Sequence, residues 1–142
     1  MMKKIFILAA TLLSLASCGG KDNPNEPKPV KADVTGIWEL TSVTTKVSVG
    51  SVNVNVYVEF LSNGSFTLYQ KIGEGRYTQF TGSYTLTSDN KLSGSYADKS
   101  VWGPYDAVIS DNTLSLTSPG GKEVDTYKKV SSIPASVLDN LY

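Results

Sequence analysis

The sequence predicts an all-β domain: an eight-stranded antiparallel up-and-down barrel with a short C-terminal helix. Three observations support this fold class. From residue 34 onward, apolar and polar side chains alternate with a period of two in successive segments. Short turn sequences rich in Gly, Asn, Asp and Ser separate these segments, and no helical pattern lies between them. Gly82 and Gly94 stand alone inside strand patterns, as expected where a barrel wall bends. An eight-stranded sandwich is the alternative way to close the sheet.

The first 17 residues have the layout of a secretory signal peptide. Lys3 and Lys4 form a positive region, an apolar stretch runs from Ile5 to Leu15, and small residues follow. The apolar stretch is too short to cross a membrane as a helix. We therefore expect residues 1–17 to be removed after export.

The single cysteine of the chain, Cys18, follows this segment directly. The run "LASC" (residues 15–18) resembles the bacterial lipobox, in which the thiol receives a diacylglycerol and the peptide is cut just before it. The resemblance implies that Cys18 becomes the first mature residue and that acyl chains such as palmitate anchor it in the membrane. Gly19 stands where an Asp would favour inner-membrane retention, so the same resemblance implies the outer membrane, on its periplasmic or its surface side. Residues 18–33 are rich in Gly, Pro and charge, and we expect them to form a tether.

The barrel domain is expected over residues 34–142. Its first strand contains Trp38, and its second is the clearest in the chain. In that second strand, "VNVNVYVEF" (residues 52–60), four valines and a phenylalanine fall on one face and polar residues on the other. Gly50-Ser51 before it and Ser62-Asn63-Gly64 after it suit hairpin turns.

The later strands follow the same alternation. The segment "RYTQFTGSYTLT" (residues 76–87) places Phe80, Gly82 and Tyr84 on one face, and "LSGSY", "YDAVIS", "TLSLTS" and "EVDTYKKV" follow it as strands. We interpret "DKSVWGPYD" (residues 98–106) as a loop or the rim of the barrel. Four aspartates are interpreted as residues in or beside turns: Asp98, Asp106, Asp111 and Asp125.

The C-terminal tail "SSIPASVLDNLY" predicts a short amphipathic helix that packs on the barrel. Ser132 is a candidate cap and Pro134 suits a first turn. The apolar residues at helical spacing are Ile133, Val137, Leu138 and Leu141.

Composition argues against several functions. The chain has 13 basic and 13 acidic residues, and loss of Lys3 and Lys4 would leave 11 against 13, so we expect no nucleic-acid binding. The chain has no histidine and its only cysteine is the expected lipid site, so neither a nucleophilic triad nor a zinc or copper site is expected. Glu39 and Glu59 are interpreted as surface charges rather than a catalytic pair. We therefore expect no enzyme activity, no catalytic residues, no metal and no cofactor.

Aromatic side chains are the candidate binding residues. Trp102 and Tyr105 are expected near the rim, and three further candidates are expected inside the barrel: Tyr84, Phe66 and Phe80. Tyr77 and Tyr96 could extend the surface around Trp102. Core packing is the alternative role for all of these residues, because eight strands enclose a space that side chains can fill.

Several motifs in order resemble lipocalin-like bacterial lipoproteins. The run "TGIWEL" (residues 35–40) resembles the Gly-x-Trp motif of the first lipocalin strand. The runs "EFLSNGSFTLY", "GSYTLTSDNKLSGSY" and "DTYKKV" resemble the later strands of that group. The resemblance implies a barrel closed at one end, with Gly36 and Trp38 as its floor motif. It also implies a basic side chain, from Lys128 or Lys129, stacked on the tryptophan.

These expectations combine into one functional hypothesis and one alternative. The hypothesis is a lipid-anchored protein of the cell envelope whose barrel binds a small, largely apolar or aromatic molecule without catalysis. The alternative is a packed barrel that acts as an interaction module and docks another envelope protein. The space left by the inward side chains separates the two, and these side chains are Phe60, Phe66, Leu68, Phe80, Tyr84 and Leu86.

Overall fold

The computed structural model describes residues 31–44 and 53–142 of the chain. This part contains eight strands and one helix: β1 (Gly36–Thr44), β2 (Val54–Phe60), β3 (Ser65–Ile72), β4 (Thr78–Leu86), β5 (Lys91–Tyr96), β6 (Val101–Ser110), β7 (Thr113–Thr117), β8 (Val124–Val130) and α1 (Ala135–Leu138). The predicted signal peptide, Cys18, the tether up to residue 30 and the turn at Gly50-Ser51 lie outside the described residues.

The sheet closes on itself. Each strand pairs antiparallel with the next one, and β1 also pairs with β8. Trp38 shows the closure directly, because it lies opposite Val58 of β2 and opposite Lys129 of β8. The predicted eight-stranded up-and-down barrel is therefore confirmed, and the sandwich is excluded.

Alternation along the strands fills the interior of the barrel. Val58 of β2 and Leu68 of β3 are cross-strand partners and both are fully buried. Their neighbours Tyr57 and Tyr69 are also partners and point to the outer face. Because successive side chains of a strand alternate between faces, one register places all the apolar positions of both strands inside.

The two ends of the barrel differ. We call the end where β1 begins and β8 ends the floor, and the opposite end the mouth. The described chain enters at the floor, where the backbone N–H of Ala32 donates to Oδ1 of Asn90 in the β4–β5 turn at 2.7 Å. Val34 follows it and is 2% exposed. The segment that precedes β1 is thus bound to the floor.

The segment interpreted as a loop or rim is a strand. Residues 98–100 form the turn, but Val101 to Asp106 belong to β6. In the pairing of β5 with β6, Leu92 lies opposite Tyr105 and Gly94 lies opposite Trp102. Between these two pairs β5 has one residue and β6 has two, so β6 contains a β-bulge. The Gly-Pro dipeptide at 103–104 lies within this bulge, so a sequence that reads as a turn continues as a strand.

The C-terminal helix is present and short. Its N-cap is Pro134 rather than Ser132, and no side chain caps it, so the predicted Ser132 cap is wrong. Val137 is buried, whereas Leu138 is 47% exposed, so only part of the predicted apolar face packs on the barrel. This helix of four residues is the only one in the described ranges and is much shorter than an apolar membrane span.

The tail after β8 crosses the outer wall from the floor toward the mouth. Val137 packs with Tyr69 and Tyr77 in a small cluster outside the barrel. Leu141 forms a parallel bridge with Tyr77, whose N–H donates to the carbonyl oxygen of Asn140 at 2.8 Å. Tyr77 therefore lies on the outer face under the tail. The suggestion that Tyr77 extends the surface around Trp102 is wrong.

Candidate functional site

Two glycines make a shallow depression in the inner wall of the barrel. Gly82 of β4 lies opposite Phe66 of β3, and Gly94 of β5 lies opposite Trp102 of β6. A Cβ atom at Gly82 would lie 2.7 Å from Cε1 of Phe66, and one at Gly94 would lie 2.5 Å from Cζ2 of Trp102. The two rings therefore lie flat against the backbone of these glycines, an arrangement in which an aromatic side chain covers a glycine across the strands.

Phe66 and Trp102 meet over these two glycines. Their ring centroids are 5.5 Å apart at an interplanar angle of 86°, which is the favoured edge-to-face geometry. Tyr96 joins Phe66 at 5.5 Å and Phe80 at 5.9 Å, and Tyr105 stacks on Trp102 at 6.2 Å and 26°. We call these five residues the aromatic cluster. Four of the five candidate residues, together with Tyr96, thus come together in the barrel interior.

The fifth candidate, Tyr84, lies apart from the cluster. Its ring packs against Phe60 at 4.9 Å, and its hydroxyl donates to the carbonyl oxygen of Leu61 at 2.8 Å. Leu61 belongs to the β2–β3 hairpin at the floor. Tyr84 therefore closes the floor side of the interior rather than extending the aromatic cluster.

Asp125 was interpreted as a residue beside a turn, and this is wrong. It is the second residue of β8, is 5% exposed, and lies opposite Leu116 of β7 and Val43 of β1. Leu116 and Tyr127 are both buried, so Asp125 shares the inward face with them. Its Oδ1 atom is buried, and no residue in the described part of the chain donates a hydrogen bond to it.

Burial dominates the chemistry of this carboxyl group. Desolvation, followed by the like charge of Glu123, raises the pKa of Asp125 from 3.8 to about 7. Burial and then the charge of Asp125 raise the pKa of Tyr105 to about 12, and the same two causes raise the pKa of Tyr127 well above its ordinary value. The carboxyl group therefore interacts electrostatically with both phenol groups.

The sequence contains one signal that could have identified Asp125. In "EVDTYKKV" the residues Asp125, Tyr127 and Lys129 share a face, because they are two apart. An inward Tyr127 requires an inward Asp125. The phase of the strand, rather than the distance from the preceding turn, therefore determines where Asp125 points.

The mouth opens beside Asp125. Val43 is its cross-strand partner, so the two side chains lie on the same face of the sheet. Val43 is nevertheless 39% exposed, whereas Asp125 is buried. Within this one pair on the inward face, Asp125 is therefore buried and Val43 is accessible to solvent.

At the floor, Lys129 covers the ring of Trp38. The ring of Trp38 is 1% exposed, and its Nε1 atom donates to the carbonyl oxygen of Val34 at 2.8 Å. The Nζ atom of Lys129 lies 5.3 Å from the centroid of this ring, within the range of a cation–π contact. Gly36 has φ +119°, and a Cβ there would lie 2.9 Å from Cε of Lys129, so glycine leaves room for the lysine stem.

Lys128 faces outward. Its Nζ atom forms an ion pair with Oε2 of Glu39 at 2.9 Å, and the hydroxyl of Tyr57 donates to Oε1 of the same carboxylate at 3.0 Å. The hydrogen bond from Lys128 is the main cause that lowers the pKa of Glu39. Glu39 lies opposite Tyr57 rather than Glu59, so the two glutamates form no facing pair.

The described residues hold no group of three or more Cys, Asp or Glu side chains positioned to bind a metal ion. The outer face of β4, β5 and β6 carries a shallow groove lined by hydroxyl groups. Its lining includes Ser83, Thr85, Ser93 and Ser95, and the side chain of Val101 beside them is 78% exposed.

Comparisons with known proteins agree with this geometry. The family model described as a lipocalin-like domain matches residues 34–116. Among curated proteins, none matches the chain. The crystal structure of the lipoprotein YedD from Klebsiella pneumoniae subsp. pneumoniae is similar, with 14% sequence identity and a TM-score of 0.50 over 82% of this chain and 88% of that chain. At this identity the likeness concerns the fold.

Proposed function

The chain belongs to the lipocalin-like domain family, and from this premise we propose that it is an envelope lipoprotein whose barrel binds a small, largely apolar or aromatic molecule without catalysis. In this proposal residues 1–17 are the signal peptide, Cys18 carries the lipid, residues 18–33 are the tether and residues 34–142 the binding domain. The lipobox-like "LASC" supports the anchor, and YedD, which shares the fold, is itself named a lipoprotein. The same proposal assigns the lipid anchor to the outer membrane.

The aromatic cluster is the observation that carries the binding proposal. Phe66 and Trp102 lie flat on Gly82 and Gly94, against the inner wall. Ligand pockets in proteins are lined mainly by apolar and aromatic side chains, with a few polar groups that fix orientation. The cluster supplies the rings, and Asp125 beside Tyr105 supplies a polar group.

Access is expected through the mouth. Val43 faces inward there and is partly exposed, so a larger side chain at this position should block the entrance. Val108 of β6 offers a matched control, because it is 59% exposed and points outward, opposite Ser115. Both positions can be changed from valine to tryptophan.

The proposal is tested by native mass spectrometry of the mature protein, purified from its host in a mild detergent and released from micelles in the spectrometer. We expect an added mass that disappears on denaturation. Val43→Trp should lose the added mass, whereas Val108→Trp should keep it. A bare protein from the host that also binds no apolar dye would contradict the binding proposal.

A second candidate function is docking of another envelope protein. The hydroxyl-lined groove on β4–β6 favours it, because Val101 places an exposed apolar side chain beside the groove. A photo-crosslinking amino acid at position 101 should then capture a specific protein in the envelope, and the same amino acid at position 108 should not.

A further inference from the structure

We propose that the molecule bound by the barrel carries a positively charged amine, and that Asp125 binds this group at the mouth. The inference rests on the proposed binding function and assigns the chemical class of the ligand. Its starting point is Asp125, a side chain that is more than nine-tenths buried and whose Oδ1 atom accepts no hydrogen bond from the described residues. Such a group in a protein interior is unfavourable unless something binds it.

Lys122, three residues before Asp125, is exposed to solvent, and the two lysines that follow Asp125 are occupied elsewhere. Lys128 points out of the barrel and pairs with Glu39. Lys129 points inward but lies at the floor, over the ring of Trp38. No lysine or arginine among the described residues forms an ion pair with Asp125. Within the described ranges, the carboxylate of Asp125 is therefore left without a cationic partner.

The electrostatic surroundings also favour a cation. Glu123, two residues before Asp125, has the same charge and raises its pKa. Asp125 also interacts electrostatically with the phenols of Tyr127 on the same strand and of Tyr105 on β6. Its cross-strand partners, Val43 of β1 and Leu116 of β7, carry no charge. An ammonium group would stabilise the ionised forms of Asp125, Glu123 and the two phenols. It would also donate a hydrogen bond to the Oδ1 atom of Asp125.

The surroundings also specify the rest of the ligand. The phenol of Tyr105 interacts electrostatically with Asp125, and its ring stacks on Trp102, so the carboxyl group and the aromatic cluster belong to the same interior. Aromatic faces attract both rings and ammonium groups. A small amine with one ring or a short apolar chain fits both features.

Three indole compounds of similar size test the charge requirement: tryptamine is a cation, tryptophol is neutral and indole-3-acetate is an anion. Their affinities are measured by isothermal titration calorimetry at pH 8 on the mature lipidated protein in phosphatidylcholine nanodiscs, with empty nanodiscs subtracted. We expect tryptamine to bind at least tenfold more tightly than tryptophol, and indole-3-acetate to bind most weakly. At pH 5.5, where Asp125 is protonated, the preference should shrink.

Asp125→Asn keeps the shape of the side chain and removes its charge. It should abolish the tenfold preference for tryptamine over tryptophol. Asp111→Asn, in the exposed β6–β7 turn, is the matched control and should keep the preference.

The outcomes separate the inference from the proposed function. Equal binding of tryptamine and tryptophol to the wild type, or a preference that survives in Asp125→Asn, would overturn the inference and leave the binding function standing. If none of the three compounds binds and the purified protein carries no added mass, both fail. If Asp125→Asn does not fold, the wild type alone tests the inference. A preference for tryptamine that is the same at pH 8 and at pH 5.5 would then overturn it.

Discussion

A carboxyl group that is buried without a hydrogen-bonding partner changes how the stability of a protein depends on pH. Asp125 is such a group within the part of the chain that the structure describes. Its pKa is about 7 in the folded protein and near 3.8 when exposed, mainly because of burial. Between these values the folded chain holds a proton that the unfolded chain has released. Since stability falls with pH wherever the native state binds more protons, the folded state is penalised as pH rises through this range.

We therefore predict that the free energy of unfolding decreases from pH 4 to pH 8. At about 1.4 kcal/mol for each unit of pKa difference, the contribution of Asp125 is at most about 4 kcal/mol. Asp125→Asn should flatten this decrease and be more stable than the wild type at pH 8. Urea denaturation at pH 5 and pH 8 measures both effects, with Asp111→Asn as a control that keeps the wild-type slope. Parallel pH profiles for the wild type and Asp125→Asn would refute this account.

At the residue scale, sequence reasoning depends on strand phase. It left Lys128 and Lys129 equally able to reach Trp38, because only the β1–β8 register assigns Lys129 to the ring and Lys128 to Glu39. The same register buries Asp125. Register depends on pairing between distant strands, and a single sequence does not state which strands those are.

At the scale of elements, β4, β5 and β6 are shaped by the two inward glycines. The sequence predicted that Gly82 and Gly94 mark a bend or a close approach, and the close approach is confirmed: a Cβ at Gly94 would lie 2.4 Å from the carbonyl oxygen of Ser83. It could not predict which rings cover them. The bulge in β6 was missed as well, because Gly103-Pro104 has the composition of a turn although Trp102 and Tyr105 on either side remain paired.

Gly94→Ala should destabilise the barrel by about 2–3 kcal/mol, as overpacking at a tightly packed position does. The reason is that both neighbours of the new methyl group, the Ser83 backbone and the Trp102 ring, are fixed by their own contacts. Gly73→Ala is the comparison, since no atom lies within 4 Å of its Cβ position and only its φ of +67° opposes the change, at a cost of about 1 kcal/mol. Urea denaturation midpoints measure both variants, and equal losses would show that the wall has room at Gly94.

At the scale of the whole molecule, the sequence was most informative. Strand number and the sequential order of the strands follow from alternation and turn chemistry, which are local properties. Closure into a barrel was favoured over a sandwich by the lone Gly82 and Gly94. The candidate site could be predicted only in part: four of its aromatic residues were identified, whereas the carboxyl group among them was not. Barrel closure brings β8 against β1 and β7, and the surroundings of Asp125 arise only from that closure.

The proposed anchor makes a prediction for the whole molecule. Cys18→Ala should accumulate as uncut precursor and take up no radioactive palmitate, because the thiol is the acceptor of the lipid in a lipobox. Ser17→Ala, which keeps a small residue before the cysteine, should still be cut and labelled. Labelling of the Cys18→Ala protein would rule out Cys18 as the anchor.

The attachment of the entering chain to the floor has a consequence for how a ligand would be exchanged. Ala32 is bound to Asn90 at the floor, whereas Asp125 and Val43 lie at the opposite end. If Cys18 carries a lipid, the described chain leads toward that anchor from the floor of the barrel, and the mouth is at the end opposite to this attachment. The protein would then collect its molecule from the aqueous compartment or pass it to a partner there, instead of drawing it out of the bilayer that holds it.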